Sequence, residues 1–270
     1  MPINQTPLVS VITVSFNAAK TLEQTILSVK AQRYRNFEFI AVDGASTDET
    51  IDILHAHDAD IDLWISEPDA GIYDAMNKGA ALARGEYLAF LNADDRYLPD
   101  TLSHLAEAAN AYSAAVFHGN MVKEREIDGA VFHREEKPNP GYMPQGMGIF
   151  HPTSFVKRAE FQAAGGYNTR YRLAADYDLF LRLWQKGLAF HHIDKALAVF
   201  SLGGASNAGC GTYSEAVEIQ RLNKTGTATK TMVLLWKCRL KIAVRKIVFG
   251  LARLMGREDW VNRKIKRRWR

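Results

Sequence analysis

Three carboxylate positions in this chain of 270 residues have the surroundings that acid–base or metal chemistry requires. The run Gly85-Glu86-Tyr87-Leu88-Ala89-Phe90-Leu91 reads as a buried strand and passes directly into Asn92-Ala93-Asp94-Asp95. Open α/β sheets bind ligands in the crevice beyond the C-terminal ends of their strands, and hard oxygen donors placed there suit Mg²⁺ or Mn²⁺. Asp43 closes another apolar strand, Phe37-Glu38-Phe39-Ile40-Ala41-Val42, and faces the same crevice. Together the two sites suit one nucleotide: Asp43 accepts a hydrogen bond from a base N–H while Asp94 and Asp95 hold a metal on the diphosphate. Asp176 falls at the N-cap of a helix with an apolar stripe, where free N–H groups and the helix dipole keep a carboxylate ionised. An ionised Asp can take the proton of an acceptor hydroxyl as a general base. His151, beside Pro152 and Thr153 ahead of that helix, is a candidate acceptor contact. Each position has a plainer role open to it: helix capping for Asp94, Asp95 and Asp176, and a satisfied buried imidazole for His151.

The elements that must position these groups alternate along the first half of the chain. Leu8-Val9-Ser10-Val11-Ile12-Thr13-Val14 is short and β-branched, and it ends at Ser15-Phe16-Asn17, after which Leu22, Ile26 and Val29 recur at helical spacing. The strand into Asp43 is followed by Ser46 and Thr47, either of which can cap a helix carrying Ile51 and Leu54. A third strand over residues 61–65 ends before Pro68, a helix follows over about residues 73–83, and the strand into Asn92 is the fourth. Strands alternating with helices of this length predict right-handed βαβ units, and so an α/β, Rossmann-like fold with a mostly parallel central sheet flanked by helices. The turn after the first strand, Ser15-Phe16-Asn17-Ala18-Ala19, has neither a G-x-G-x-x-G fingerprint nor a Walker lysine, which argues against a dinucleotide oxidoreductase or a P-loop enzyme. Residues 123–148 are rich in charge, Pro and Gly and read as a hairpin or loop before the block that holds His151 and Asp176. His55 with His57, and His191 with His192, lack a suitably spaced third ligand for a metal.

Nearly half of the residues, 47%, are hydrophobic, enough for a sizeable core. Cys210 and Cys238 have neither zinc spacing nor a disulfide framework, which favours a reducing compartment, and Met1-Pro2-Ile3-Asn4-Gln5 shows no secretion signal. The net charge of +4 hides an asymmetry. Residues 230–270 hold 14 Lys or Arg against Glu258 and Asp259, a balance of +12, which leaves 20 basic and 28 acidic side chains, or −8, in residues 1–229. An acidic body with a basic tail points to an anionic partner surface. Trp236, Leu240, Ala243, Ile247, Leu251 and Leu254 set one apolar helical stripe, with Lys237, Lys241 and Arg245 opposite and Arg263-Lys264-Ile265-Lys266-Arg267-Arg268-Trp269-Arg270 after it. That pattern predicts a basic amphipathic helix lying in a membrane interface rather than spanning it. Docking on the body or on a dimer partner is the competing role. Nucleic acid is the weaker partner, because no recognised binding module accompanies the charge.

With these blocks in this order, the sequence resembles a family 2 glycosyltransferase, an inverting enzyme of the A-type glycosyltransferase fold, over residues 8 to 205. Val9-Ser10-Val11-Ile12-Thr13-Val14-Ser15-Phe16-Asn17 is similar to the family's first strand, whose end contacts the nucleoside, so the resemblance assigns Val14, Phe16 and Asn17 to donor binding. Val42-Asp43-Gly44-Ala45-Ser46-Thr47-Asp48-Glu49-Thr50 resembles the block whose aspartate reads the base. Glu67-Pro68-Asp69-Ala70-Gly71-Ile72-Tyr73-Asp74-Ala75-Met76-Asn77-Lys78-Gly79 resembles a stretch typical of bacterial surface-polysaccharide members and adds Asp74 and Asn77 to the donor set. The family's strand-end motif is D-x-D; Asn92 departs from it, bringing an amide oxygen without charge, so Asp94 and Asp95 carry most of the metal binding. Asp94 also counts as a donor contact. The Asp176 block resembles the family's acidic motif with the catalytic base, Ala175 replacing the more usual preceding acid.

The resemblance therefore implies a metal-assisted single displacement with inversion, using a divalent cation, Mn²⁺ or Mg²⁺. The donor is a nucleotide sugar, UDP-linked by expectation, and the acceptor a hydroxyl of a lipid-linked or surface glycan. It further implies a catalytic domain over residues 1–225, with a nucleotide-sugar half to about 120 and an acceptor half from about 121, and a tail over 226–270. The expected location is cytoplasmic, peripheral to the inner face of the cytoplasmic membrane. Two alternatives remain open from sequence: a nucleotidyltransferase on a similar sheet, although Ser15-Phe16-Asn17-Ala18-Ala19 lacks the glycine-rich basic loop it needs, and a non-catalytic membrane- or nucleic-acid-binding module.

Overall fold

The strand–helix alternation folds as expected. The computed structural model describes residues 6–127, 129–201 and 210–254. In it β1 (Val9–Ser15), β2 (Phe37–Asp43), β3 (Leu63–Ser66) and β4 (Tyr87–Phe90) are separated by α1 (Leu22–Lys30), α2 (Thr50–Ala56) and α3 (Ile72–Leu82). The strand pairs β1 with β2, β1 with β4 and β2 with β3 are parallel. Side chains alternate across the sheet with period two: Val9 and Val11, Phe39 and Ala41, Tyr87 and Ala89 bury on one face, against Leu22 and Ile26 of α1 and Leu54 of α2. Ile12 and Val14, Ile40 and Val42, Leu88 and Phe90 bury on the other, against Met76 and Ala80 of α3. All four strands thus end on the same edge, at Ser15, Asp43, Ser66 and Phe90.

The second half departs from a parallel plan. After β5 (Arg96–Tyr97) and α4 (Thr101–Ala111) come β6 (Val116–Ile127), β7 (Ala130–Glu136), β8 (Ser154–Lys157), α5 (Arg158–Ala163), α6 (Ala175–Gln185) and β9 (Phe190–Ser201). The sheet order is β3-β2-β1-β4-β8-β6-β9-β5, with β7 paired to β6. β8 runs antiparallel to both β4 and β6, and β5 antiparallel to β9, while β6 and β9 are parallel. The sheet is therefore mixed, parallel over its first four strands, because a tight hairpin can join only antiparallel strands. That hairpin, β6 with β7, is what the charged segment from Lys123 onward builds. The buried face of α6, with Leu179, Phe180 and Leu183, packs in the same core as α3 and so brings the Asp176 helix to the strand ends.

Two expectations are corrected here. Asp176 is not the N-cap: that position belongs to Ala174, and Asp176 sits in the first turn of α6. Cys210 and Cys238 are not free thiols but bonded to each other. Spacing concealed the pairing because it is tertiary: α8 (Ala228–Leu254) folds back on α7 (Gly211–Leu222) and brings the two Cα atoms to 6.0 Å. Thr231 on α8 is buried, whereas Val233, Trp236, Leu240 and Val244 are exposed. The side chains of Arg245, Ile247, Leu251 and Leu254, and the whole run from Arg263 to Arg270, lie outside the described residues. Among the described residues no helix is long and apolar enough to cross a membrane.

Candidate active site

A cleft of about 630 Å³ opens at the C-terminal edge of the parallel strands, and most of the groups expected there line it. Its first wall is the loop after β1. Val14, Phe16 and Asn17 all face the cleft, and the ring of Phe16 is 65% exposed, an aromatic surface on which a base can stack. Asn17 adopts a positive φ of 51° and clasps the loop after β2: its backbone N–H donates to Ser46 Oγ (2.8 Å) and its Oδ1 accepts from the Thr47 N–H (2.9 Å). Asn tolerates the left-handed region because its side chain bonds locally. Ala45, at φ 61°, has no such excuse and marks backbone strain beside the site. Gly44 lets the Asp69 carboxylate approach closely, since a Cβ there would lie 2.4 Å from Asp69 Oδ2 and would move that side chain.

Asp43 lies beneath this wall rather than in it. Its carboxylate is fully buried and accepts from Ser15 Oγ (3.0 Å), Ser66 Oγ (2.8 Å), the Ser46 N–H (2.8 Å) and Ser46 Oγ (2.5 Å). Four donors fill a carboxylate's acceptor capacity. A base N–H thus reaches Asp43 only by displacing a serine. The structure places it as the pin that joins the ends of β1, β2 and β3.

The strand-end acidic cluster is built the opposite way. Asn92 and Asp94 line the cleft, while Asp95, 1% exposed, turns toward an adjoining cavity of about 260 Å³ that Asp94 also borders. Helix capping is not their role, because α4 begins after Asp100. Asp95 Oδ1 accepts from the Ser201 N–H (3.3 Å), but Asp95 Oδ2 and Asn92 Oδ1 are buried without a partner among the described residues. Burial, and for Asp95 also the charge of Asp94, pushes both carboxyls above the ordinary carboxylate range. Orphaned hard oxygens beside costly buried carboxylates fit a divalent cation. No group of three or more His, Cys, Asp or Glu among the described residues could hold a metal alone. Two carboxylates and an amide instead match Mg²⁺-type sites completed by a substrate's phosphates.

Asp176 faces the same cleft from α6. Its Oδ1 accepts from its neighbour's N–H at Tyr177 (2.8 Å) and from Tyr73 OH on α3 (3.0 Å), and Oδ2 has no partner among the described residues. Burial, reinforced by the charge of Asp176, raises the Tyr73 and Tyr167 hydroxyls well above their usual range, so both stay protonated. His151 lines the cleft, with Nε2 2.9 Å from Tyr167 OH, and burial lowers its pKa against the pull of Asp176. The carboxylate is thus held among neutral groups with one oxygen committed and the other open.

The other two expected donor contacts lie off the lining of this cleft. Asn77 is absent from the cleft lining because its amide is committed to the backbone of Tyr167, Nδ2 donating to the carbonyl (2.9 Å) and Oδ1 accepting from the N–H (2.9 Å). Asp74 accepts from the Ala70 N–H (3.0 Å) and neighbours Lys78, on an adjoining cavity of about 200 Å³. Sequence reasoning missed Asp69, Tyr73 and Arg172 in the cleft. Asp69 follows the third strand and was findable by the rule that located Asp43. Tyr73 carried no such signal, since its partner is 103 residues away.

Three kinds of likeness bear on this geometry. The family model described as "Glycosyl transferase family 2" matches residues 10–174. The chain is 31% identical over 217 residues to a PGL/p-HBAD biosynthesis glycosyltransferase of Mycobacterium bovis, covering 74% of this chain and 80% of that protein. It is 35% identical over 182 residues to an uncharacterized glycosyltransferase of Mycobacterium tuberculosis, covering 65% of this chain and 68% of that one. Among solved structures it is similar to S. aureus TarS 1–349 in complex with UDP-GlcNAc, with a TM-score of 0.65 at 18% identity, covering 78% of this chain and 65% of that one. The chain thus spans just under two thirds of that TarS structure. The mannosyltransferase PcManGT from Pyrobaculum calidifontis, in complex with GDP-Man and Mn²⁺, superimposes over 97% of this chain and 87% of its own with a TM-score of 0.62 at 16% identity.

Proposed function

The chain belongs to glycosyl transferase family 2, and we propose that it moves one sugar from a nucleotide sugar to an acceptor hydroxyl with inversion, in polysaccharide or glycan biosynthesis. The observation that carries this reading is the placement of Asp176, with its open oxygen, in one cleft with Asn92 and Asp94 and the exposed Phe16 ring. Phe16 and Asn17 receive the nucleoside, and Asp43 holds their loop from below. Asp176 Oδ2 accepts the proton of the acceptor hydroxyl, which attacks the anomeric carbon as the nucleoside diphosphate departs. Tyr73 keeps the carboxylate aimed, and neutral His151 contacts the acceptor. Asp94 and Asp95, with the Asn92 amide oxygen, would hold the divalent cation, which when bound neutralises charge on the leaving diphosphate.

UDP is the first nucleotide to test; the solved neighbours carry UDP-GlcNAc in one case and GDP-Man in another. The acceptor reading is a lipid-linked glycan or glycolipid. It is supported by the apolar residues that line part of the cleft, Met121, Met147, Ile149, Phe150, Leu173 and Phe200. The exposed face of α8, Val233, Trp236, Leu240 and Val244, lies among Lys237, Arg239 and Lys241, which suits an anionic membrane surface at the inner leaflet.

A thermal-shift screen of UDP-, GDP- and dTDP-sugars with Mn²⁺, followed by nucleotide release, tests the transfer. We expect one nucleotide class to stabilise the protein and be turned over; no response to any class would refute it. For the membrane, truncation after Thr229 should release the protein from anionic liposomes without abolishing donor hydrolysis, and unchanged sedimentation would refute that role.

A further inference from the structure

The N-terminus of α6 has no cap of its own. Ala174 stands at the N-cap without a side-chain bond, and alanine is among the poorest residues for that position. The segment that leads into the helix is held instead from another helix. Glu215 on α7 takes three consecutive backbone N–H groups, Oε1 from Arg172 (3.0 Å) and Oε2 from Leu173 (2.9 Å) and Ala174 (2.9 Å). A carboxylate at that end is also favoured by the helix dipole. The bracket extends along α7: Glu218 pairs with Arg170, and Gln220 Nε2 donates to Tyr177 OH (3.2 Å). Side chains of α7 therefore grip residues 170–177, the stretch that ends in Asp176 and Tyr177.

On the reading that Asp176 is the acceptor's base, we infer that Glu215 is its positioning residue, setting the height and direction of the first turn of α6 so that Oδ2 meets the acceptor oxygen. Glu215 does not line the cleft. Tyr73 fixes the Asp176 side chain from α3, whereas Glu215 fixes the backbone that carries it. The family match ends at residue 174, so α7 lies beyond it. Cys210, at the N-cap of α7, is bonded to Cys238, which ties the bracket in turn to α8.

The test compares wild type with Glu215→Ala, Glu215→Gln, Asp176→Asn and the Glu215→Ala, Asp176→Asn double variant in the full chain. Removing the clamp misplaces the base, so kcat for transfer falls by about 10- to 100-fold in Glu215→Ala. Binding of UDP with Mn²⁺ stays within about twofold, since that contact is made elsewhere in the cleft. Glu215→Gln keeps one acceptor oxygen and recovers part of the rate. In the Asp176→Asn background Glu215→Ala costs nothing further, the signature of a residue that acts through another. Additive losses, or an undiminished kcat, would overturn the inference. Amide hydrogen exchange needs no substrate: at Arg172, Leu173 and Ala174 it should accelerate about tenfold or more in Glu215→Ala. Unaltered exchange there would overturn the clamp itself. Faster exchange alongside a wild type that turns over no nucleotide sugar would instead bring down the transferase reading and with it the role assigned to Glu215. Should Glu215→Ala not fold, Glu215→Gln carries the same comparisons.

Discussion

At Asp176 the protein supplies both contacts of one carboxylate oxygen, whereas around Asn92, Asp94 and Asp95 two buried oxygens have no partner among the described residues. The first carboxylate is finished before any ligand arrives; the second cluster is a half-site. A base must hold its direction while a proton moves, so fixing it in advance costs the reaction nothing. A cation site shared with a substrate's phosphates must keep valences open, and the fold bears the cost of buried charge until the ligand offsets it. Preorganisation and incompletion are thus two answers to one question, namely when each group meets its partner.

Breaking the finished side should give the largest effect. Asp176→Asn should keep its melting temperature and UDP affinity while transfer falls by about 10²- to 10⁴-fold, the usual worth of a general base. Wild-type turnover by this variant would end the contrast. On the unfinished side the expected change is in stability and metal response. Asp95 is pushed up by burial and by Asp94, so the folded protein binds that proton more tightly than the unfolded chain. The contribution of Asp95 to metal-free stability is therefore fully present below the ordinary carboxylate range and is lost as pH climbs through the raised value. Asp95→Asn should flatten that decline, raising the metal-free melting temperature at neutral pH by about 2–4 °C for each kcal/mol relieved. The same variant should lose the stabilisation that Mn²⁺ gives wild type. A cluster already satisfied by the protein would show neither change.

Tyr73→Phe sharpens the comparison from the finished side. It should lower kcat roughly tenfold, about the worth of one hydrogen bond to a charged group, with the donor KM unchanged in steady-state assays. The smallest catalytic effect is expected at Asn77. Asn77→Ala leaves the Tyr167 N–H and carbonyl unpaired, at a cost of about 1–3 kcal/mol in denaturant unfolding. Donor affinity should be unchanged, and a loss there would restore Asn77 to the donor contacts.

The sequence made the donor half readable because its signals are local. Period-two alternation in β1, β2 and β4 and the polar residues that stop each strand fixed the edge where Phe16, Asn17, Asn92 and Asp94 meet. What stayed hidden depends on contacts across long separations. Whether Asp43 points into the cleft or at three serines, and whether Asn77 meets a ligand or the Tyr167 backbone 90 residues away, is decided by tertiary packing. The mixed second half was illegible for the same reason, since neither β8 nor β9 pairs with its neighbour in sequence. Asp176 was placed two positions off because Ala174, a poor cap, gave no mark of the helix start.

The Cys210–Cys238 bond closes α7, the turn after it and the first part of α8 into a covalent ring. In the oxidised protein a single backbone cut at any peptide bond inside that ring divides the chain without releasing its C-terminal piece. Limited proteolysis there should yield two fragments on a reducing gel and one band on a non-reducing gel, so the basic tail stays leashed to the body that carries Asp176 even after the main chain is severed.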